Sequence, residues 1–134
     1  MGLMFWMKGL LGGSGGNLME KGVNELTSIE DFEAVLAASQ DSPQFIFKHS
    51  TTCPISTGAH RQVSSYLDQR EEGGPAIHLV KVIESRPVSN EIASRLGVTH
   101  QSPQMILVDS GAANWNTSHG SITVDALNQA ASNT

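Results

Sequence analysis

The chain has 134 residues, 39% of them hydrophobic, which suits one domain and is too short for two. Its net charge of −5, with no basic stripe, excludes an electrostatic footprint for nucleic acid or for an anionic membrane surface. One cysteine cannot form an internal disulfide or a cysteine-based zinc centre, and the five histidines show no ligand spacing, so no metal is expected and a reducing, cytoplasmic setting is.

Residues 1–16 read as a flexible N-terminal tail and 17–134 as a single domain. The first eleven residues, MGLMFWMKGLL, are apolar but too short to span a bilayer. Lys8 sits inside the apolar run rather than ahead of it, which does not fit a secretory leader. Met-Gly invites myristoylation, but Trp6 stands where Ser or Thr is needed. Residues 12–16 are Gly and Ser only and read as a linker. A loose tail is favoured over an interfacial anchor built on Phe5 and Trp6.

Residues 22–26 suit a short strand. Thr27 with Glu30 reads as a capping box that opens a helix. Ile29, Phe32, Val35 and Leu36 recur at helical spacing and are its expected core face. Pro43 follows a polar run. Residues 44–49 read as a strand leading into the turn Ser50-Thr51-Thr52-Cys53. A helix is expected from about 54 to 70, with Pro54 tolerated in its first turn and Ala59, Val63, Tyr66 and Leu67 along one face. Glu71 to Pro75 form a loop. Residues 76–83, AIHLVKVI, suit a central strand. There His78 reads as structural, and Lys81 either points inward or reaches solvent. Arg86-Pro87-Val88 is expected to break that strand before a helix capped by Ser89. Ile92 and Leu96 form its core face and Gly97 its C-terminal turn. Residues 104–109 make another strand, Ser110-Gly111 a hairpin turn, and 113–117 a weaker return strand around Trp115. Thr123 or Ser121 caps a last helix with Ile122, Leu127 and Ala130 as apolar positions. The order β-α-β-α-β-α-β-β-α is that of an α/β, thioredoxin-like three-layer fold: a mixed central sheet with helices on both faces.

Cys53 falls at a strand-to-helix junction. The positive end of a helix dipole and unpaired backbone amides favour a thiolate there. A thiol that ionises more readily loses intrinsic nucleophilicity but leaves faster, so such a site is suited to turnover through a mixed disulfide. Ser56 takes the second position of a C-x-x-C pair. Its hydroxyl is expected to donate to the sulfur but cannot attack a disulfide, so an outside thiol has to resolve any adduct. Alone, Cys-x-x-Ser is a weak signal, because a lone cysteine is often a buried, inert hydrophobe. The strand before it, the helix after it and the distant Ser102-Pro103 strengthen it. A proline is tolerated where a strand begins. In thioredoxin folds the equivalent proline is cis and lies beside the thiol, so a cis Pro103, with the Ser102 backbone open to a peptide or small thiol, is expected over a trans edge proline.

The run Ile46-Phe47-Lys48-His49-Ser50-Thr51-Thr52-Cys53-Pro54-Ile55-Ser56 strongly resembles the YtxJ-type monothiol bacilliredoxins. So do Arg86-Pro87-Val88-Ser89-Asn90, the run from Gly97 to Gln104, and Ser118-His119-x-x-Ile122-Thr123. The resemblance spans roughly residues 24–130, with Gly120 departing from a usually bulkier residue. It implies a thiol-disulfide oxidoreductase of the thioredoxin-like superfamily, active in redox stress. It implies no bound cofactor, with bacillithiol, a cysteinyl-glucosaminyl-malate thiol, as co-substrate. Cys53 would take bacillithiol from mixed disulfides on oxidised client proteins, and a second bacillithiol or another redoxin would restore it. Catalysis then falls to Cys53, Ser56 and Pro103. The malate carboxylates would meet Lys48, His49, His100 and His119, with Thr52, Pro54 and Ser102 beside the sulfur and His60 on the same helix face. Two rivals differ in kind. One is a glutathione-linked monothiol glutaredoxin with an iron–sulfur cluster, which would be brown but carries Gly and Phe where this chain has Pro54 and Ile55. The other is a non-catalytic thioredoxin-fold adaptor with an ordinary thiol.

Overall fold

Alternation of side chains along the strands sets the architecture. A computed structural model describes residues 17–71 and 73–134; the tail and linker expected at 1–16 lie outside them. Strands β1 (Asn24–Glu25), β2 (Gln44–His49), β3 (Ala76–Lys81), β4 (Gln104–Asp109) and β5 (Ala112–Ser118) form one sheet. Helices α1 (Ile29–Ala38), α2 (Pro54–Gln69), α3 (Arg86–Leu96) and α4 (Val124–Ser132) cover it. The spatial order is β1-β3-β2-β4-β5. The first three strands run parallel, while β4 is antiparallel to β2 and β5 to β4. This is the thioredoxin-like α/β arrangement expected.

Phe45 and Phe47 of β2, Ile77 and Leu79 of β3, and Met105 and Leu107 of β4 share one face. Ala59, Val63 and Tyr66 of α2 and Leu127 and Ala130 of α4 pack on it. Ile46, Val80, Ile106 and Val108 share the other face, under Phe32 and Val35 of α1 and Val88 and Ile92 of α3. At about 25 cal/mol per Å² of apolar surface removed from water, these two layers hold the domain together. β2 lies between β3 and β4 and is buried at every position. The end of β2 is therefore fixed from both sides, and the thiol loop leaves from it.

The helix starts depart from the sequence reading. α1 begins one residue later than expected. Ser28, not Thr27, is its cap, accepting from Asp31 N at 3.1 Å, and the Asp31 carboxylate reaches back to Thr27 N at 3.0 Å. The box closes on Asp31 rather than Glu30, and the shift turns Ile29 to solvent, 39% exposed, out of the core face. Arg86-Pro87 opens α3 instead of separating it from the strand. Pro87 sits in the first turn, where its missing N–H is harmless, Ser85 takes the cap position, and Ser89 lies buried inside the helix. β3 stops at Lys81, so Val82 and Ile83 belong to the connection. Ser110 and Gly111, at φ 54 and 78, make the β4–β5 turn, both positive as a two-residue type I′ hairpin requires. Thr123 caps α4, accepting from Ala126 N at 3.1 Å.

Candidate active site

Cys53 is the N-cap residue of α2 and is half-buried. Its amide donates to Ser50 O at 3.3 Å, and its carbonyl accepts from Thr57 N at 3.0 Å, the first bond of the helix. Pro54 has no N–H, and the amides of Ile55 and Ser56 precede that first bond. The sulfur therefore sits at the positive end of the helix. Thr51, Thr52, Pro54 and Ile55 around it are exposed. The Thr52 and Ser50 hydroxyls lie 3.4 Å apart.

The Ser102–Pro103 peptide is cis, and Pro103 is buried. Lys48 of β2 lies opposite Gln104 of β4. Pro103 is thus placed at the end of β2 from which the thiol loop departs. Gln104 lies opposite Ser118, and just beyond it His119 N donates to Pro103 O at 3.0 Å. Three distant segments, carrying Cys53, Pro103 and His119, are brought to one end of the sheet. His119 is exposed, with φ 55.

Ser56 is fully buried, and its hydroxyl has other partners than the one expected. Oγ accepts from Ser50 N at 3.0 Å and lies 2.6 Å from His49 Nδ1. The Ser50 amide is a donor, and the buried hydroxyl has no other acceptor among the described residues, so its single proton goes to His49, leaving Nδ1 the acceptor. No hydrogen bond from Ser56 reaches the sulfur. Ser56 braces the loop that carries Cys53. His49 is itself buried, its ring stacked on Phe47 at 5.4 Å and tilted against His60 at 5.1 Å. Burial, then His60, pushes its pKa down to about 4, with Glu84 opposing and Lys81 adding. Burial also lowers His60.

Lys48 projects from the other face of β2 and is 0% exposed, so its amine does not line an open cleft as the sequence suggested. Nζ lies 3.1 Å from His100 Nδ1. Burial brings Lys48 down to about 8. His100 is exposed, and its pKa is lowered by burial of its inner edge, then by Lys48 and Arg86. Beside Lys48, the buried Gln104 donates through Nε2 to Thr99 O at 3.0 Å and accepts at Oε1 from Gln101 N at 3.4 Å. Lys48 and Gln104 together form a polar floor under the 99–102 loop. Sequence reading missed Gln104. The available signal was two polar residues on strands at positions where Ile46 and Ile106 continue the apolar face. Ser102 Oγ is buried and has no partner among the described residues. His78 is structural, 2.7 Å from Gln44 Oε1 through Nε2. Lys81 turns outward to Glu25 at 3.7 Å.

Among the described residues, no group of three or more His, Cys, Asp or Glu side chains is placed to hold a metal ion. Nor is any helix among them long and apolar enough to cross a membrane.

Comparison with known proteins places this geometry. A family model described as monothiol bacilliredoxin BrxC matches residues 24–127. A solved thioredoxin-fold protein assigned as an oxidoreductase is 36% identical, with a TM-score of 0.72 over 81% of this chain and 92% of that one. The thioredoxin of Malassezia sympodialis is similar at 15% identity and TM-score 0.67, covering 83% of this chain and 89% of that one. Mitochondrial thioredoxin 3 of Saccharomyces cerevisiae is similar at 17% and 0.63, covering 84% and 96%. At such identities these two share the fold alone. The family model spans most of the chain and the oxidoreductase match covers 81% of it, so this chain is a thiol-disulfide oxidoreductase and belongs to the monothiol bacilliredoxin BrxC family.

Proposed function

We propose that the chain removes bacillithiol from mixed disulfides on oxidised protein cysteines in the cytoplasm, with bacillithiol as co-substrate and no bound cofactor. The observation that carries this reading is a single thiol at a helix cap, with Ser56 rather than a second cysteine one turn on. In the first step the Cys53 thiolate attacks the bacillithiol sulfur of the mixed disulfide. The S–S bond breaks, the client leaves as a thiolate and takes a proton from water, and Cys53 now carries bacillithiol. No second thiol in the chain can close an internal disulfide. A second bacillithiol thiolate therefore attacks the bound bacillithiol sulfur, forms oxidised bacillithiol and expels Cys53 as a thiolate. The helix terminus favours the negative charge that returns to the sulfur.

The remaining expected residues support these steps in different ways. Pro103 shapes the cleft wall, and the Ser102 backbone is available to an incoming chain. Thr52 and Pro54 rim the sulfur. His119 and His100 offer donors to carboxylates of the substrate. His49 and Ser56 hold the thiol loop, and Lys48 acts from beneath. The test is a bacillithiolated model protein followed by intact mass. The wild-type chain is expected to strip the label and acquire it on Cys53, whereas Cys53→Ala does neither. Equal release by both proteins would sink the reading.

A further inference from the structure

We propose that Lys48 is a positioning residue that holds His100 as an Nε2–H donor, and that His100 with Ser102 forms a subsite for a carboxylate on the small-thiol half of the mixed disulfide. This rests on the exchange reading above and names what that site selects.

An ammonium has only protons to give, so the 3.1 Å contact makes His100 Nδ1 the acceptor. A neutral imidazole with Nδ1 as acceptor carries its proton on Nε2. Nδ1 is tied to a buried amine, while the residue as a whole is exposed, so Nε2–H is the nitrogen left for a ligand. Ser89 Oγ stands 3.4 Å from the same Nδ1 and closes off that edge of the ring.

The charge is unbalanced. The four ion pairs among the described residues use Lys21, Lys81 and Arg95, so the fully buried Lys48 has no carboxylate beside it. Arg86, exposed at the first position of α3, stands free of those pairs and acts on His100 as a second cation. A buried cation without a counterion is costly and calls for an anion at the nearest accessible point. That point is the outer edge of His100. An independent feature lies two residues on, where the Ser102 hydroxyl is buried and unpartnered immediately before Pro103. Natural structures rarely leave such a group unmet. In this subsite the carboxylate accepts from Nε2–H and, once the Ser102 side chain turns out toward it, from this hydroxyl, while Lys48 supplies the opposing charge from behind.

The test uses one client protein carrying either mercaptosuccinate or 2-mercaptoethanol in mixed disulfide, so only the small half differs. Wild-type kcat/KM is expected to favour the mercaptosuccinyl form about tenfold, as one charge-assisted hydrogen bond would give. The ratio should fall toward one in Lys48→Met and His100→Ala, and recover partly in His100→Gln, which keeps an N–H. Nitrogen NMR of the ring should show Nδ1 unprotonated in the wild type and a tautomer mixture in Lys48→Met. Succinate, which has no sulfur, should shift the His100 ring and Ser102 amide signals in the wild type only. A wild-type ratio near one without succinate shifts overturns the subsite even when exchange proceeds. A proton on Nδ1 overturns the positioning role. Succinate shifts with no exchange on either disulfide overturn the exchange reading and leave the subsite standing.

Discussion

The two sides of β2 near its end solve one problem in opposite ways. His49 and Lys48 are neighbours in sequence, yet the pleat sends them to opposite faces, toward α2 and α3. On the α2 side, Ser56, His49 and the Ser50 amide make a neutral network buried at each member. It braces the thiol loop. On the α3 side, Lys48 and Gln104 brace the loop that carries Pro103, but this network is cationic and ends in an exposed ring. A closed neutral network fixes geometry and can do little else. An open charged one fixes geometry and also leaves a donor exposed to a ligand.

The comparison is broken most completely at the atom both sides serve. Cys53→Ala is expected to abolish transfer of a disulfide-linked label while leaving thermal stability within about 0.5 kcal/mol of wild type. The side chain makes no capping bond and is only half-buried, so little packing is lost. Thermal melts and intact mass check both halves of that statement. Next in size is Ser56→Ala, which strands the buried Ser50 N–H and the His49 ring proton acceptor together. A loss of about 1–3 kcal/mol is expected, along with slower exchange as the loop loosens. If Ser56→Ala melted like wild type and slowed exchange through the sulfur alone, the bracing role would be wrong.

The layout of the domain was legible because periodicity carries it. Strand 44–49, the helix from 54, Gly97 and the Ser110-Gly111 turn all follow from alternation, helical spacing and turn chemistry. The cis Pro103 next to the thiol end was legible only through the thioredoxin-like element order, in which a proline before that strand is cis. Hydrogen-bond destinations were not. A C-x-x-S spacing puts Ser56 one turn from Cys53, but it does not say that the strand end supplies a better acceptor in His49. Lys48 was read as meeting the substrate because the resemblance calls for cations around Cys53. Its burial depends on the register that sets it beside Gln104, and pairing across strands distant in sequence is not written in local pattern. The helix starts erred for a related reason. Ser28 and Thr27 are equally good caps by residue type, and the core chose between them through Phe32 and Val35.

The charged side can be sharpened by removing its charge. Lys48→Met is expected to stabilise the fold at pH 7 by about 2 kcal/mol, since a buried ion is exchanged for a side chain of similar length. The sign with pH follows from linkage. The folded amine titrates near 8 and an unfolded one at 10.5. Below 8 both states hold the proton and the burial penalty is present in full. Between 8 and 10.5 only the unfolded state does, so wild-type stability rises with pH through that window. The advantage of Met should shrink over the same interval. Urea titrations at pH 7 and 10 measure it, and a gap that stays constant would mean the amine holds its proton inside the fold as firmly as outside it, so that burial costs the charge nothing.

The neutral side answers to acid instead, and more weakly. His49 is held near 4 against 6.5 in an unfolded chain, chiefly by burial. Above 6.5 neither state is protonated and the network stands intact. As pH falls from 6.5 toward 4 the unfolded state gains a proton that the folded ring refuses, so stability drops. His60, His78 and His100 are also lowered and act with the same sign. His49→Asn keeps an acceptor close to the position of Nδ1 but does not titrate. Its unfolding free energy, from urea titrations, should fall less than that of wild type between pH 7 and 4.5, by about 1 kcal/mol once partial hydration is allowed for. Parallel curves for the two proteins would show that His49 is protonated inside the fold. Its ring would then no longer accept from Ser56, and the closed network on which the contrast with Lys48 rests would be charged after all.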